Sequence, residues 1–291
     1  MKNKKWVPVL LILTVLMVFI GYRQFDAIKT DVDAPEISIQ DTQTLQLSVH
    51  ASKAELLQGV TAYDRRDGDV SGKLVVESMR LVDPDGLIEV SYAVADKSGN
   101  VAKATRKVQY TDYESPKFSL SAPLIYDVYE DFDIMRAVLA SDVRDGNIQH
   151  RIRAVALGDT SLISQGVHDV HFQVTNSLGD TSEIILPVEV IETGTYTAGL
   201  TLTDYLIYLP KGAVFQPEKY LNEFILRTEK TSLRGYLPRN FTLETTGDVS
   251  TQTPGVYCVS YLVTLVVPHA SNADLDQIYR GYSKLIVVVE G

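Results

Sequence analysis

Three stretches of this chain share one frame: glycine, three residues, valine, one residue, an aromatic, one residue, valine. They read GLIEVSYAV from Gly86, GVHDVHFQV from Gly166 and GVYCVSYLV from Gly255. A period of two puts Val90, Tyr92 and Val94 on one face of a strand, and likewise Val170, Phe172 and Val174, and Val259, Tyr261 and Val263. The residues between them (Ser91 and Ala93, His171 and Gln173, Ser260 and Leu262) are mostly polar or small, as a more open face requires. After the first two frames come DKSGN and NSLGD, turn sequences with Gly99 and Gly179 free to take positive φ. A second alternating stretch follows each, VAKATRKVQY and TSEIILPVEVIE. The frames are therefore closing hairpins of repeated units.

The opposite half of the unit also repeats. GVTAYDRRDGDV aligns with AVLASDVRDGNI at an offset of about 78 residues, each a short apolar strand running into an acidic loop. No sustained helical periodicity occurs beyond residue 23. The expected fold class is all-β, with tandem immunoglobulin-like β-sandwiches following one N-terminal transmembrane helix. Prolines in DVDAPEI and TDYESPKF open the first strands of two units. The expected division is a tail at 1–5, an apolar anchor at 6–22, a linker at 23–33, and sandwich units at 34–112, 113–192 and 193–291. The third unit keeps the closing hairpin, lacks the acidic loop, and has a long connection that includes PHASNADLDQIYRG.

Trp6 to Tyr22 contains no charge. As a helix at about 1.5 Å per residue it spans roughly 25 Å, near the short limit for a bilayer core. Trp6 and Tyr22 flank it as interfacial rings. Lys2, Lys4 and Lys5 precede it, which orients the N-terminus to the cytoplasm and everything after Arg23 outward. A cleaved signal peptide is the rival reading, but Phe25 occupies the position two before Ala27, where a small residue is needed. The expected location is the cell membrane, single-pass, with an extracellular C-terminal part.

The formal net charge is −10, and beyond Arg23 the balance is about −14. Such a surface repels phosphate backbones, which argues against a nucleic-acid partner. Cys258 is the single cysteine, so neither an internal disulfide nor a four-cysteine zinc site can form. Its parity is opposite to that of Val259, which places it on the outer strand face, open to pairing with a second chain or held as an inert thiol.

AYDRRDGDVSG followed by EVSYAVADKSGNVAKATRKVQY resembles bacterial immunoglobulin-like domains. These hyalin-repeat-related modules stand in tandem on Gram-positive surface proteins and in some crystal toxins. The family pattern is Asp-x-x-Asp-Gly-Asp, then Tyr-x-Val-x-Tyr-x-x-x-Asp-x-x-Gly-Asn. The first unit matches both halves through Asp64, Asp67, Asp69, Asp96 and Asn100. The second has Asn147 for the last Asp and Asn176 for the hairpin Asp, and the third matches only the closing strand. The resemblance implies a sandwich fold, an extracellular structural or binding role, and no catalysis.

In such a sandwich the acidic loop, the last hairpin turn and the incoming linker share one end. The first unit would gather Asp64, Asp67, Asp69 and Asp96, with Asp31 and Asp33 arriving from the linker. The second would gather Asp142, Asp145 and Asn147, with Asp112 and Glu114 arriving. Hard oxygens converging from several segments suit calcium, which takes six to eight of them. The competing reading is turn chemistry alone, since Asp side chains bond their own backbone in Asx-turns.

Enzymatic chemistry is not expected. Loops at the end of a thin sandwich form no cleft for a carboxylate pair. His168 and His171, three apart on a strand, point to opposite faces. No nucleophile elbow, Walker loop or zinc-protease motif occurs. The third unit holds nine of the sixteen tyrosines, so it is the expected ligand-binding end. Tyr279 and Tyr282, beside the long connection, are its best surface candidates. The functional expectation is adhesion or binding of an extracellular glycan or protein. The alternative is a non-enzymatic structural part of an envelope assembly, in cell-wall or polysaccharide export machinery.

Overall fold

The computed structural model describes residues 7–29, 31–40, 44–129, 131–156, 164–269 and 276–291. The chain divides into two compact units, Met1–Tyr113 and Glu114–Gly291. The expected boundary near residue 193 lies inside the second.

The first unit opens with helix α1, Val7–Lys29. It runs seven residues past the apolar stretch, so residues 23–29, expected in the linker, are helical. The side chains from Val9 to Tyr22 are exposed, the large apolar ones between 46% and 78%. Among the described residues no helix is long and apolar enough to cross a membrane. The stretch with described side chains is about 21 Å of helix, against a hydrocarbon core of about 30 Å. Part of the expected anchor, including Trp6, lies outside the described residues.

Strands β1 (Glu36–Ile39), β2 (Leu45–Leu47), β3 (Val60–Asp64), β4 (Gly68–Asp69), β5 (Val75–Leu81), β6 (Leu87–Ala95) and β7 (Val101–Tyr110) follow. One sheet has the order β1-β3-β4, the other β2-β7-β6-β5. β6 and β7 form the closing hairpin, paired from Leu87↔Gln109 to Ala95↔Val101, and β2 runs parallel to β7. Ile88, Val90, Tyr92 and Val94 are buried, and Ser91 and Ala93 are half-buried, as the period of two requires. A single helical turn, α2 (Lys53–Leu56), is held by a capping box between Ser52 and Glu55. It sends Leu56 into the core, where the Leu56 carbonyl accepts from Tyr92 Oη at 2.7 Å and Arg106 Nη2 at 2.7 Å.

The second unit begins with the same plan. β8 (Lys117–Leu120), β9 (Ile125–Asp127), β10 (Val138–Asp142), β11 (Gly146–Asn147), β12 (Arg153–Ala156), β13 (Gly166–Thr175) and β14 (Thr181–Ile191) form sheets β11-β10-β8 and β12-β13-β14-β9. β9 is parallel to β14, as β2 is to β7. Phe118, Val138 and Ala140 from one sheet pack with Val170, Phe172 and Leu186 from the other. The two sheets thus form a sandwich.

The remainder is built differently. β15 (Ala198–Leu202), β16 (Leu206–Pro210), β17 (Leu221–Leu226), β18 (Glu229–Ser232), β19 (Phe241–Thr246), β20 (Gly255–Val267) and β21 (Gln277–Glu290) make one sheet of order β18-β17-β15-β21-β20-β19. β16 also pairs with β21. β15 and β16 lie parallel to opposite ends of the long β21. Gly281 permits the β15 contact: a Cβ there would sit 3.1 Å from both Leu200 Cβ and Phe224 Cε2. The connection expected from PHASNADLDQIYRG is shorter than its polar composition implies. Its QIYRG portion continues the hairpin ladder, starting at Val267↔Gln277, and the connection is residues 268–276.

Leu206 and Ile286 from this last sheet enter the core of the preceding sandwich. Phe118 N donates to Tyr208 Oη at 3.1 Å, and Lys284 Nζ pairs with Glu189 Oε2 at 2.8 Å with both side chains largely buried. These contacts make residues 114–291 one compact body.

Candidate functional site

The repeated acidic loops begin at the last residue of a core strand. Asp64 ends β3 and is 1% exposed. Its Oδ1 accepts the N–H groups of Arg66 at 2.8 Å and Asp67 at 2.6 Å. Gly68, at φ 77°, then turns the chain back so that β4 pairs with β3. Asp69 stays exposed, and its Oδ1 accepts Ser71 N at 2.9 Å. The side-chain and backbone bonds from Ser71 hold its carboxyl below the usual range. Asp67 Oδ2 accepts Lys97 N at 2.6 Å, with Lys97 Nζ at 3.4 Å from its other oxygen.

Asp96 follows β6 and is 6% exposed. Burial is the largest single influence on it and raises its pKa. Bonds from the Asn100 side chain and the backbone of Asn100, Gly99 and Ser98 together outweigh it, so its pKa is lowered. Asn100 also gathers the tether: its Nδ2 lies 2.7 Å from Asp96 Oδ2 and 3.1 Å from the carbonyl oxygens of both Asp31 and Asp33. Asp31, Asp64 and Asp96 each offer a carboxylate oxygen within 4.8 Å of the others. Of the first unit's candidates, Asp64 and Asp96 are thus brought together with Asp31, while Asp67 reaches the hairpin turn at Lys97 and Asp69 serves its own loop. Asn100 enters the sequence reading only as the last residue of the hairpin pattern; its contact with the tether is not expected from it.

The second unit uses the same scaffold. Asp142 ends β10, and its Oδ1 accepts Arg144 N at 2.9 Å and Asp145 N at 2.8 Å. Gly146 takes φ 69°. Asn147 Oδ1 accepts Gln149 N at 2.9 Å. Asp145 accepts Ser177 N and Oγ at 2.6 Å each and Arg151 Nη1 at 2.8 Å. Burial raises its pKa, but these partners outweigh it and leave it lowered. The difference lies at the hairpin: Asn176 stands where Asp96 does, and its Nδ2 donates to Asp142 Oδ2 at 3.0 Å. The residues expected to arrive here are otherwise engaged. Asp112 accepts Ser48 Oγ at 2.8 Å and Val49 N at 2.7 Å within the first unit, and Glu114 pairs with Lys117 at 2.9 Å.

The two tyrosines expected at the ligand-binding end are both half-buried. Tyr279 Oη bonds Gln277 Oε1 at 2.7 Å. Tyr282 stacks on Tyr196 at 4.8 Å between centroids, and its hydroxyl meets Glu189 Oε2 at 3.0 Å and Ser260 Oγ at 3.1 Å. Burial, above all, pushes its pKa up. Cys258 is half-buried beside the Glu189–Lys284 pair, and burial raises its thiol pKa. His168 is buried against Ser164 O at 2.7 Å, while His171 pairs with Glu183 at 3.2 Å on the more open face.

A groove of about 750 Å³ opens within the second unit. Ile185 and Val256 line its exposed apolar floor, with Lys117, Glu183, Tyr208 and Glu290 around them. Lys117 Nζ lies 5.9 Å from the Tyr208 ring centroid. Sequence reasoning missed this groove, because its residues come from widely separated strands.

No protein-family model and no curated protein matches the chain. Among solved structures, the M60 catalytic domain with CBM51-1 and CBM51-2 of Clostridium perfringens ZmpB is 12% identical over 88% of this chain and 43% of that one, with a TM-score of 0.24. The protocadherin GammaB4 extracellular domain is 10% identical over 88% and 50%, at 0.20. Mouse cadherin-23 EC22-24 is 12% identical over 89% and 99%, at 0.19. The chain spans less than half the length of the ZmpB fragment. Superpositions at this level carry no functional inference. The class the fold itself defines is a mostly β protein built on face-to-face sheets.

Proposed function

We propose that this chain is a bacterial cell-surface protein of the Gram-positive kind that holds immunoglobulin-like sandwich units outside the membrane and binds an extracellular glycan or protein with its C-terminal part. The units of this reading are 34–112, 113–192 and 193–291, the last divergent, and the anchor is the apolar stretch at 6–22. The exposed apolar face of α1 supports the anchor, since a row of bare leucine, valine and isoleucine side chains is costly in water. The role needs no enzymatic chemistry.

The observation that carries the reading is the groove of about 750 Å³ with Ile185 and Val256 on its floor. It is large enough for a few sugar rings or a short peptide, and it pairs apolar area with charged groups that can orient a ligand. It displaces Tyr279 and Tyr282 as the preferred contact, because their hydroxyls are already engaged. Binding of the full chain in detergent to glycan and surface-protein arrays tests it. Ile185→Asp and Lys117→Glu, both at exposed positions, are expected to abolish the signals that the parent gives. Equal binding by the variants would move the site elsewhere.

A second reading, a structural part of an envelope assembly, draws on the buried Glu189–Lys284 pair and the shared core at Leu206 and Ile286. A rigid body of that kind suits a spacer. Co-purification with membrane-embedded partners that requires residues 6–22 would favour it.

A further inference from the structure

We infer that the second unit holds an acidic sugar, one that carries a carboxylate or a phosphate, in a polar pocket between Arg151 and Arg153. The inference rests on the glycan reading of the chain but uses a site other than the groove. The pocket has a volume of about 600 Å³ and is lined by His150, Arg151, Ile152, Arg153, Gln173 and Thr175. That is ample for one sugar ring with its substituents.

Charge singles the pocket out. The chain carries a net charge of −10, yet its RDGNIQHRIR stretch from Arg144 holds three arginines against one aspartate. The two arginines of the pocket are held differently. Arg151 is clamped: its Nη1 donates to Asp145 Oδ2 at 2.8 Å, and Ser177 N and Oγ fix Asp145 in turn at 2.6 Å each. That bond takes one of the guanidinium's N–H groups and leaves others to give. Arg153 is exposed and makes no hydrogen bond or ion pair with any described residue. A guanidinium fork meets a carboxylate or phosphate edge with two parallel hydrogen bonds.

The neutral side of the pocket supplies the rest of the specificity. Arg153 stands opposite Gln173 in the β12–β13 ladder, and Thr175 lies two residues along the same face. Gln173 Nε2 donates to Glu183 Oε1 at 2.7 Å, which fixes the amide and leaves its carbonyl oxygen for a ligand hydroxyl. The Thr175 hydroxyl shares one bond with Thr181 at 2.8 Å and keeps further capacity. A bare anion would use only the cationic wall, and a neutral sugar only the amide and hydroxyl. An acidic sugar uses both. A long polyanion such as a nucleic acid would also meet the acidic remainder of the surface, which repels it.

The test is calorimetric titration of the full chain in detergent with four probes: glucuronic acid, glucose 6-phosphate, glucose and inorganic phosphate. At least one of the two acidic sugars is expected to bind about tenfold or more tighter than both glucose and inorganic phosphate, and the tighter of the two identifies the anion. Arg153→Gln should lose about tenfold in affinity, and Arg153→Lys, which keeps the charge but not the fork, should lose less. Arg153 is exposed and unbonded, so both variants should melt as the parent does. The groove variant Lys117→Glu should bind the acidic sugar as the parent does, which separates this site from the groove; a loss there would place the sugar in the groove and overturn the assignment. No heat from either acidic sugar at about 10 mM, where even a millimolar site is about nine-tenths filled, would overturn it too. So would equal binding of inorganic phosphate, or parent-like binding by Arg153→Gln.

Discussion

The two acidic loops fold alike and end differently. In both, a buried aspartate at the end of a strand takes two backbone N–H groups, and a glycine at positive φ turns the chain back. In both, the next aspartate reaches the hairpin turn, Asp67 to Lys97 N and Asp145 to Ser177 N, each at 2.6 Å. The difference is one functional group, the carboxylate of Asp96 against the amide of Asn176. The Asn176 amide donates to Asp142 Oδ2 at 3.0 Å, whereas the Asp96 carboxylate accepts from Asn100 Nδ2 at 2.7 Å. The same loop scaffold is thus closed by the Asn176 amide in one unit, while in the other the hairpin residue Asp96 is held by Asn100.

That comparison assumes equivalent cores beneath the loops, and this assumption can be broken first. Tyr92 and Phe172 occupy the same frame position and are both fully buried. Tyr92→Ala and Phe172→Ala should each cost about 3–5 kcal/mol, because each leaves a cavity between packed sheets. Denaturant midpoints of the two variants would check it. If only one variant destabilises strongly, the units are not built alike, and reading one loop by the other loses its basis.

The second test is aimed at the loops themselves. Asp145 has an arginine at 2.8 Å and both donors of Ser177, whereas Asp67 has one backbone donor and a looser lysine at 3.4 Å. Asp145→Ala should cost about 2 kcal/mol, since it removes charge-assisted bonds and strands Arg151, and Asp67→Ala about 1 kcal/mol. The pKa of Asp145 is lowered on folding. Its contribution is therefore present above the unfolded carboxylate value near 3.9 and is lost as pH falls through the lower folded value. The penalty of Asp145→Ala should accordingly be full at pH 6 and shrink below about pH 4. A penalty that does not change across that range would assign the effect to packing instead.

Much of this architecture is legible in the amino-acid sequence alone. Period-two frames place Val90, Tyr92 and Val94 and their counterparts inside, because the side-chain alternation of a strand is local. The exchange of Asp96 for Asn176 is visible in the turn sequences too. What is not legible is long-range. Asn100 gathers Asp31 and Asp33 from nearly seventy residues away, and no local pattern encodes that meeting. Alternation along β21 puts Ile286 on the face opposite to Leu285, Val287 and Val289, but does not say that this face, with Leu206, enters the preceding sandwich's core. The groove is hidden for the same reason. The QIYRG stretch reads as a connection because polar residues at an open strand end look like loop.

The smallest expected effect gives the finest comparison of the two units. Tyr92 carries a hydroxyl that Phe172 lacks, and it donates to the Leu56 carbonyl at 2.7 Å. That carbonyl also accepts from Arg106 Nη2 at 2.7 Å, while Arg106 Nη1 donates to Gln58 O at 2.8 Å. Removing the Tyr92 hydroxyl leaves neither a buried carbonyl without a donor nor a sizeable cavity, so only the net value of one neutral hydrogen bond is lost. Tyr92→Phe should therefore cost about 1 kcal/mol, against several for a stranded polar group. Chemical denaturation of the parent and variant measures it. A cost near that of Tyr92→Ala would mean that the hydroxyl is what fixes α2 to the sheet and that Arg106 cannot hold it. The first unit would then depend on a polar anchor in its core where the second manages with an apolar ring, and the difference between the two would reach beyond the acidic loops.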